Sequence, residues 1–107
     1  MSTFDEREKG FEAKYGHDEE IRFKVAARRN KLLGLWVAEQ LGLKGAAAEQ
    51  YAKAVVEVEF QTGDSHLVEK VLADCAAKGV AMTERRLRKQ MAEFAKLARN
   101  QIVGKST

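Results

Sequence analysis

Apolar and polar positions alternate along this chain with the period of an α-helix. From about residue 18 to residue 41, apolar side chains recur every three or four positions and form one stripe of a helical wheel. Arg29 also lies on this stripe, so we expect its guanidinium either to reach solvent or to meet a carboxylate from another helix. Gly34 weakens a helix by about 1 kcal/mol relative to alanine, which indicates that a neighbouring helix approaches closely there. The apolar members of the stripe are Ile21, Val25, Leu32, Leu33, Trp36 and Val37.

The same period predicts three further helices, over about 46–61, 64–78 and 83–103. The second ends in an alternating run, residues 55–60, that also suits a strand, but a lone strand would have no partner, so a helix is favoured. Each helix has an apolar face that must be buried, which predicts a bundle. The inner faces are Ala47, Tyr51, Val55 and Val58; then Leu67 or Val68, Val71, Leu72 and Cys75; then Leu87, Met91, Phe94, Ala98 and Ile102.

Glycines and caps, rather than prolines, mark the ends of these helices, since the chain contains no proline. Gly42 and Gly79 follow the first and third helices, where a left-handed residue commonly ends a helix. Thr83 is placed to cap the fourth helix, and Asp64 or Ser65 the third.

The first 17 residues form an arm with a different pattern. Phe4, Phe11 and Tyr15 are spaced to share one helical face, but Gly10 and Gly16 interrupt the segment. Isolated helices shorter than about 12–15 residues are marginal in water, so we expect the arm to be disordered or frayed when free and to fold against a partner. The fold prediction is therefore all-α: a four-helix bundle over residues 18–107 with a flexible, conditionally helical N-terminal arm, residues 1–17.

Charge separates the two parts of the chain. Residues 1–20 carry seven acids and three bases, whereas the remainder carries 16 bases and nine acids. The net charge of +3 therefore conceals an acidic arm and a basic body, which suggests different roles for them. The polar N-terminus does not resemble a signal peptide, and no apolar run is long enough to cross a bilayer, so we expect a cytoplasmic location.

Candidate chemistry is sparse. There is no glycine-rich phosphate loop, no cysteine pair and no HExxH-type metal site, so we predict no enzyme activity, no metal and no cofactor. Cys75 is the only cysteine and is interpreted as a small buried apolar residue.

The basic start of the last helix supports an alternative function. Arg85, Arg88 and Lys89 lie opposite its apolar face and suit contact with a nucleotide, a nucleic acid or an acidic partner. No aromatic side chain is interleaved for base stacking, and Glu84 and Glu93 interrupt the positive charge, which favours a solvated surface and makes nucleic acid the weaker interpretation.

The N-terminal half also resembles a known family. The strings FDEREKGFEAKY (residues 4–15), HDEE (17–20) and ARRNKLLGLW (27–36) are similar to the zeta-type inhibitor subunit of the alphaproteobacterial F-type ATP synthase. The similarity is dense to about Leu43 and looser beyond it. The resemblance implies a four-helix protein that inhibits ATP hydrolysis by inserting its arm into a catalytic subunit interface, where it meets the rotor.

The resemblance also implies which arm residues contact the partner. Aromatic anchors and charged contacts are both expected there, on a protein peripheral to the inner membrane through the synthase. The partners would be the catalytic head and the rotor of the synthase. The expected partner-binding residues are Phe4, Asp5, Glu6, Arg7, Glu8, Lys9, Phe11, Glu12 and Tyr15.

Overall fold

The computed structural model describes the backbone of residues 2–104 and the side chains of residues 19–104. It contains four helices, α1 (Ser2–Gln40), α2 (Gly45–Thr62), α3 (Asp64–Ala77) and α4 (Glu84–Val103), and no strand in this range. The predicted four-helix, all-α fold is confirmed. Among the described residues, no helix combines the length and the apolar character needed to cross a membrane.

The longest helix, α1, has 39 residues and begins at Ser2, upstream of the predicted start at residue 18. The arm thus forms the first part of α1. The structure gives the arm a helical backbone, and the prediction that the arm is disordered or frayed when free stays a prediction. The second half of α1 packs between α2 and α4, and α3 closes the bundle against both of them.

The core is built from one stripe of each helix. On α1 the predicted Leu33 and Val37 are fully buried, whereas the other predicted members of the stripe, Ile21, Val25, Leu32 and Trp36, are only half-buried. On α2, Ala47 is exposed, contrary to prediction, and Ala52 is buried instead. The buried apolar residues are Leu33, Val37, Ala38 and Leu41 of α1, Ala52 and Val55 of α2, Leu67, Val68, Val71 and Cys75 of α3, and Leu87, Met91 and Ala98 of α4.

Two glycines end helices as predicted. Gly42 and Gly79 have φ values of 80° and 73°. The residue after each glycine donates its N–H to the carbonyl five residues earlier, Leu43 to Ala38 and Val80 to Cys75, each at 2.8 Å. This is the Schellman arrangement, in which a left-handed glycine allows the last carbonyls to be satisfied.

The predicted caps divide into one that is confirmed and one that is wrong. Thr83 accepts a hydrogen bond from the Arg86 N–H at 3.1 Å and caps α4. Neither Asp64 nor Ser65 caps α3: Asp64 is the first residue of the helix, preceded by Gly63, which has no side chain to serve as a cap. The Asp64 carboxylate binds Arg29 instead.

The closest approach of two helices is at Gly34, as its position in the sequence predicted. A Cβ atom added to Gly34 would lie 2.5 Å from the Ala52 Cα and 3.1 Å from the Ala52 Cβ. Backbone atoms of α2 thus occupy the space that any side chain at position 34 requires, and only glycine fits.

Gly34→Ala tests this contact. Although alanine favours the helix, we expect the clash with α2 to dominate and to destabilise the protein by about 1–3 kcal/mol, the usual range for overpacking. Urea unfolding followed by circular dichroism measures the difference. Gly104→Ala is the matched control, because a Cβ at Gly104 meets nothing within 4 Å. Equal stability of the two variants would contradict the close approach.

Candidate functional site

The segment of α1 that joins the arm to the bundle is held by a charged side chain. The Arg29 guanidinium donates to both oxygens of Asp64, at 2.7 and 3.3 Å, and so links α1 to the start of α3. It also donates to Asn30 Oδ1 at 3.0 and 2.8 Å and lies 3.8 Å from a Glu59 oxygen. The sequence left two environments open for Arg29, solvent or a carboxylate from another helix, and in the structure Arg29 binds the carboxylate of Asp64.

Asn30 extends this network into the core. It is only 2% exposed, and its Nδ2 donates to Glu59 Oε1 of α2 at 2.9 Å. A buried amide without partners destabilises a fold, so its bonds to Arg29 and Glu59 are needed. The Arg29 network, by which we mean Arg29, Asn30, Glu59 and Asp64, therefore ties three helices together at the end of the bundle nearer the arm.

The ionisation of Asp64 reflects this network. Hydrogen bonds from Arg29 hold the pKa of Asp64 below its ordinary value, although burial acts in the opposite direction. The carboxylate thus stays charged in the folded protein at a pH where it would begin to protonate in the unfolded chain.

The expected partner-binding residues all lie in the first part of α1. Their side chains, from Phe4 to Tyr15, are outside the described side chains, so their roles stay predictions. The α1 backbone carries them on one helix with the Arg29 network.

The three basic residues proposed for the alternative function are exposed on α4, as expected from their helical positions. Arg88 is not a free cation, because its Nε donates to Glu84 Oε2 at 2.7 Å. Arg88 also lines a shallow groove of about 210 Å³ with Arg29 and the Asp64 carboxylate. An acid within the groove disfavours phosphate there, and the structure does not bring Arg85, Arg88 and Lys89 together around a ligand.

Aromatic contacts hold α4 against α1. The rings of Trp36 and Phe94 meet edge to face with centroids 6.5 Å apart, and the Arg86 guanidinium lies 5.5 Å from the Trp36 ring. Arg86 therefore makes a cation–π contact with Trp36.

A second polar contact joins α2 to α3. The Tyr51 hydroxyl donates to Asp74 Oδ2 at 2.7 Å, and Lys70 pairs with the same oxygen at 2.9 Å. Burial raises the pKa of Tyr51, and burial likewise raises the pKa of the Cys75 thiol. Cys75 is buried, as predicted, and carries a neutral thiol that is a poor nucleophile. The described residues contain no group of three potential metal ligands.

One surface feature was missed by the sequence analysis. Phe23 and Phe60 are 60% and 71% exposed and contact each other across α1 and α2. The sequence did contain a signal, since neither phenylalanine belongs to the predicted apolar stripe of its helix.

The chain matches a known protein family over most of its length. Residues 1–101, which include the arm and all but the end of α4, match the family described as ATPase inhibitor subunit zeta. The chain belongs to this family. No curated protein and no solved structure gives a match.

Membership of the zeta family confirms the resemblance noted in the sequence. It supports a role as an ATPase inhibitor, regulatory rather than catalytic, with an ATP synthase as partner.

Acid unfolding tests the Arg29 network. Because the pKa of Asp64 is lower in the folded than in the unfolded protein, its contribution to stability is present above about pH 4 and is lost as the pH falls through the folded-state pKa. We expect Asp64→Asn to destabilise the protein by about 1–2 kcal/mol at neutral pH and to weaken the loss of stability in acid. Urea unfolding over a series of pH values measures both effects.

Glu20→Gln is the control for this experiment. It removes an exposed pair with Lys24, whose atoms are 3.5 Å apart and whose side chains are mostly in solvent. Such pairs contribute little, so we expect no measurable change. An Asp64→Asn profile that follows the wild-type profile at every pH would show that the Arg29 contact is not stabilising.

Proposed function

We propose that the protein inhibits ATP hydrolysis by the F-type ATP synthase by inserting its N-terminal arm, residues 1–17, into a catalytic subunit interface. The family match supports the inhibitory role and includes the arm. The proposal adds the part of the chain that acts and the place where it acts.

The shape of the protein is the observation that carries this proposal. At 1.5 Å per residue, the 39-residue α1 is about 58 Å long, close to the 65 Å long axis of the molecule, whose other dimensions are 25 and 21 Å. Among the residues whose side chains are described, Arg22 lines a groove with Glu59 of α2, and Phe23 contacts Phe60 of α2. A single helix about 10–12 Å wide thus precedes a bundle twice as wide. Such an arm suits a groove between subunits that the bundle cannot enter.

The arm sequence has the features that binding in a groove requires. Three aromatic side chains with helical spacing supply apolar anchors, and the charged residues between them supply specificity. Blocking a catalytic interface needs no reactive group in the inhibitor. The junction with the bundle gives the arm a fixed base, because the Arg29 network holds α1 to both α2 and α3.

Deleting residues 1–14 tests the role of the arm. We expect the truncated protein to lose inhibition of ATP hydrolysis by the cognate synthase and to keep its bundle. The buried residues of the described chain all lie between Asn30 and Ala98, so the deletion removes none of them. A coupled assay of ATP hydrolysis measures inhibition.

Thermal melting of the truncated protein is the control for folding. We expect a melting temperature within a few degrees of the full-length value, because the deletion removes none of the buried residues described above. If the truncated protein folds and inhibits as strongly as the full-length chain, then the inhibitory contact lies on the bundle and the proposal is wrong.

Gly16→Ala tests whether the arm folds on binding. Alanine favours a helix over glycine by about 1 kcal/mol, and this difference corresponds to roughly five-fold tighter inhibition if the arm is ordered only in the complex. Titrating the synthase with the variant and with Gly104→Ala, a glycine far from the arm in sequence, compares the two changes. Weaker inhibition by Gly16→Ala would mean that the arm requires a flexible joint at this position.

A further inference from the structure

The exposed aromatic pair lies where the arm meets the bundle. Phe23 and Phe60 touch edge to face, with ring centroids 5.9 Å apart and planes at 86°, yet both side chains remain mostly in solvent. Only three large apolar side chains in the described part of the chain are exposed, and these are two of them; the third is Leu97. Large aromatic side chains that are exposed side by side are typical of binding surfaces.

Cations lie beside Phe23, one member of this pair. A groove of about 320 Å³ runs from Phe23 to Ile102 of α4, and the residues that line it include no carboxylate. No ion pair in the described residues neutralises Arg28 or Lys31, whereas Lys24 pairs with Glu20. The lining residues are Phe23, Lys24, Ala27, Arg28, Lys31 and Ile102.

We propose that Phe23 and Phe60, together with Arg28 and Lys31, form a second contact with the ATP synthase, on an apolar pocket of the synthase edged by carboxylates. This inference rests on the proposed function. The aromatic rings would fill the pocket, and the cations would pair with its acidic edge. Enrichment of aromatic residues and arginine is characteristic of the energetically dominant centre of an interface.

Continuity with the arm identifies the synthase as the occupant. Phe23 follows Tyr15, the last aromatic anchor, by eight residues, which is about 12 Å along a helix. When the arm is inserted, the aromatic pair is therefore brought to the rim of the same site. Two contacts on one molecule raise the effective concentration of each for its own target, so loss of either weakens binding without preventing the other.

The test is inhibition and binding by the full-length Phe23→Ala/Phe60→Ala variant. We expect the concentration for half-maximal inhibition of the cognate synthase to rise at least about ten-fold, while inhibition at saturation stays complete because the arm is intact. Leu97→Ala is the matched control, since it removes the other exposed apolar side chain, and we expect no change. Co-sedimentation with the synthase measures binding in the same samples, and thermal melting verifies that both variants fold.

The charged part of the surface is tested separately. Arg28→Glu/Lys31→Glu, also in the full-length chain, should weaken inhibition by a similar factor, and the wild-type protein should lose affinity as salt is added. Lys78→Glu, at the far end of α3, makes a like change in an exposed lysine and should have no effect.

The outcomes separate this inference from the proposed function. If the wild-type protein inhibits and the Phe23→Ala/Phe60→Ala variant inhibits equally well, the second contact is overturned and the proposed role of the arm stands. If the wild-type protein binds the synthase through the aromatic pair but does not inhibit ATP hydrolysis, the second contact is supported and the proposed function is overturned. Analytical ultracentrifugation tests a further possibility. If the wild-type protein is a dimer that the aromatic substitutions dissociate, and the variant inhibits as strongly as the wild type, then the pair contacts a second copy of the chain and the inference is wrong.

Discussion

A single guanidinium determines how α1 is joined to the rest of the molecule. Arg29 binds the first residue of α3 and the buried Asn30, and Asn30 in turn binds Glu59 of α2. Ion pairs of this kind often contribute little net stability compared with an apolar replacement, because desolvation opposes the Coulombic attraction. Their directional bonds do, however, discriminate between alternative packings. We regard this network as the feature that selects one arrangement of the helices.

The helical pattern predicted the fold well, because each element carries its own signal. The apolar periods, Gly42, Gly79 and Thr83 all have local effects that do not depend on the tertiary structure. The close approach at Gly34 was also anticipated, because a glycine inside a helix indicates a neighbouring helix, and the contact of Arg29 with a carboxylate was one of the two alternatives predicted for it.

Errors arose where a tertiary contact decided between local alternatives. Asp64 is a residue type that commonly caps helices, but its carboxylate accepts a hydrogen bond from Arg29 at 2.7 Å instead of capping α3. Ala47 fits the wheel of α2, yet it lies in the first turn and is exposed. The exposed pair of Phe23 and Phe60 escaped notice because periodicity identifies what is buried and does not say which off-stripe aromatics meet. The expectation that the arm inhibits the synthase came from the family resemblance, since composition and spacing indicate a partner without specifying it.

The contact of Gly34 with Ala52 also fixes the register of α1 against α2. Because α2 backbone fills the place of a Cβ at this one position, α1 cannot slide along α2 without bringing a larger side chain into the contact. A slip of one turn would move every residue of α1 by about 5.4 Å along its axis. The position of α1 along α2 is therefore fixed by a glycine near the C-terminal end of α1, far along the same helix from the arm.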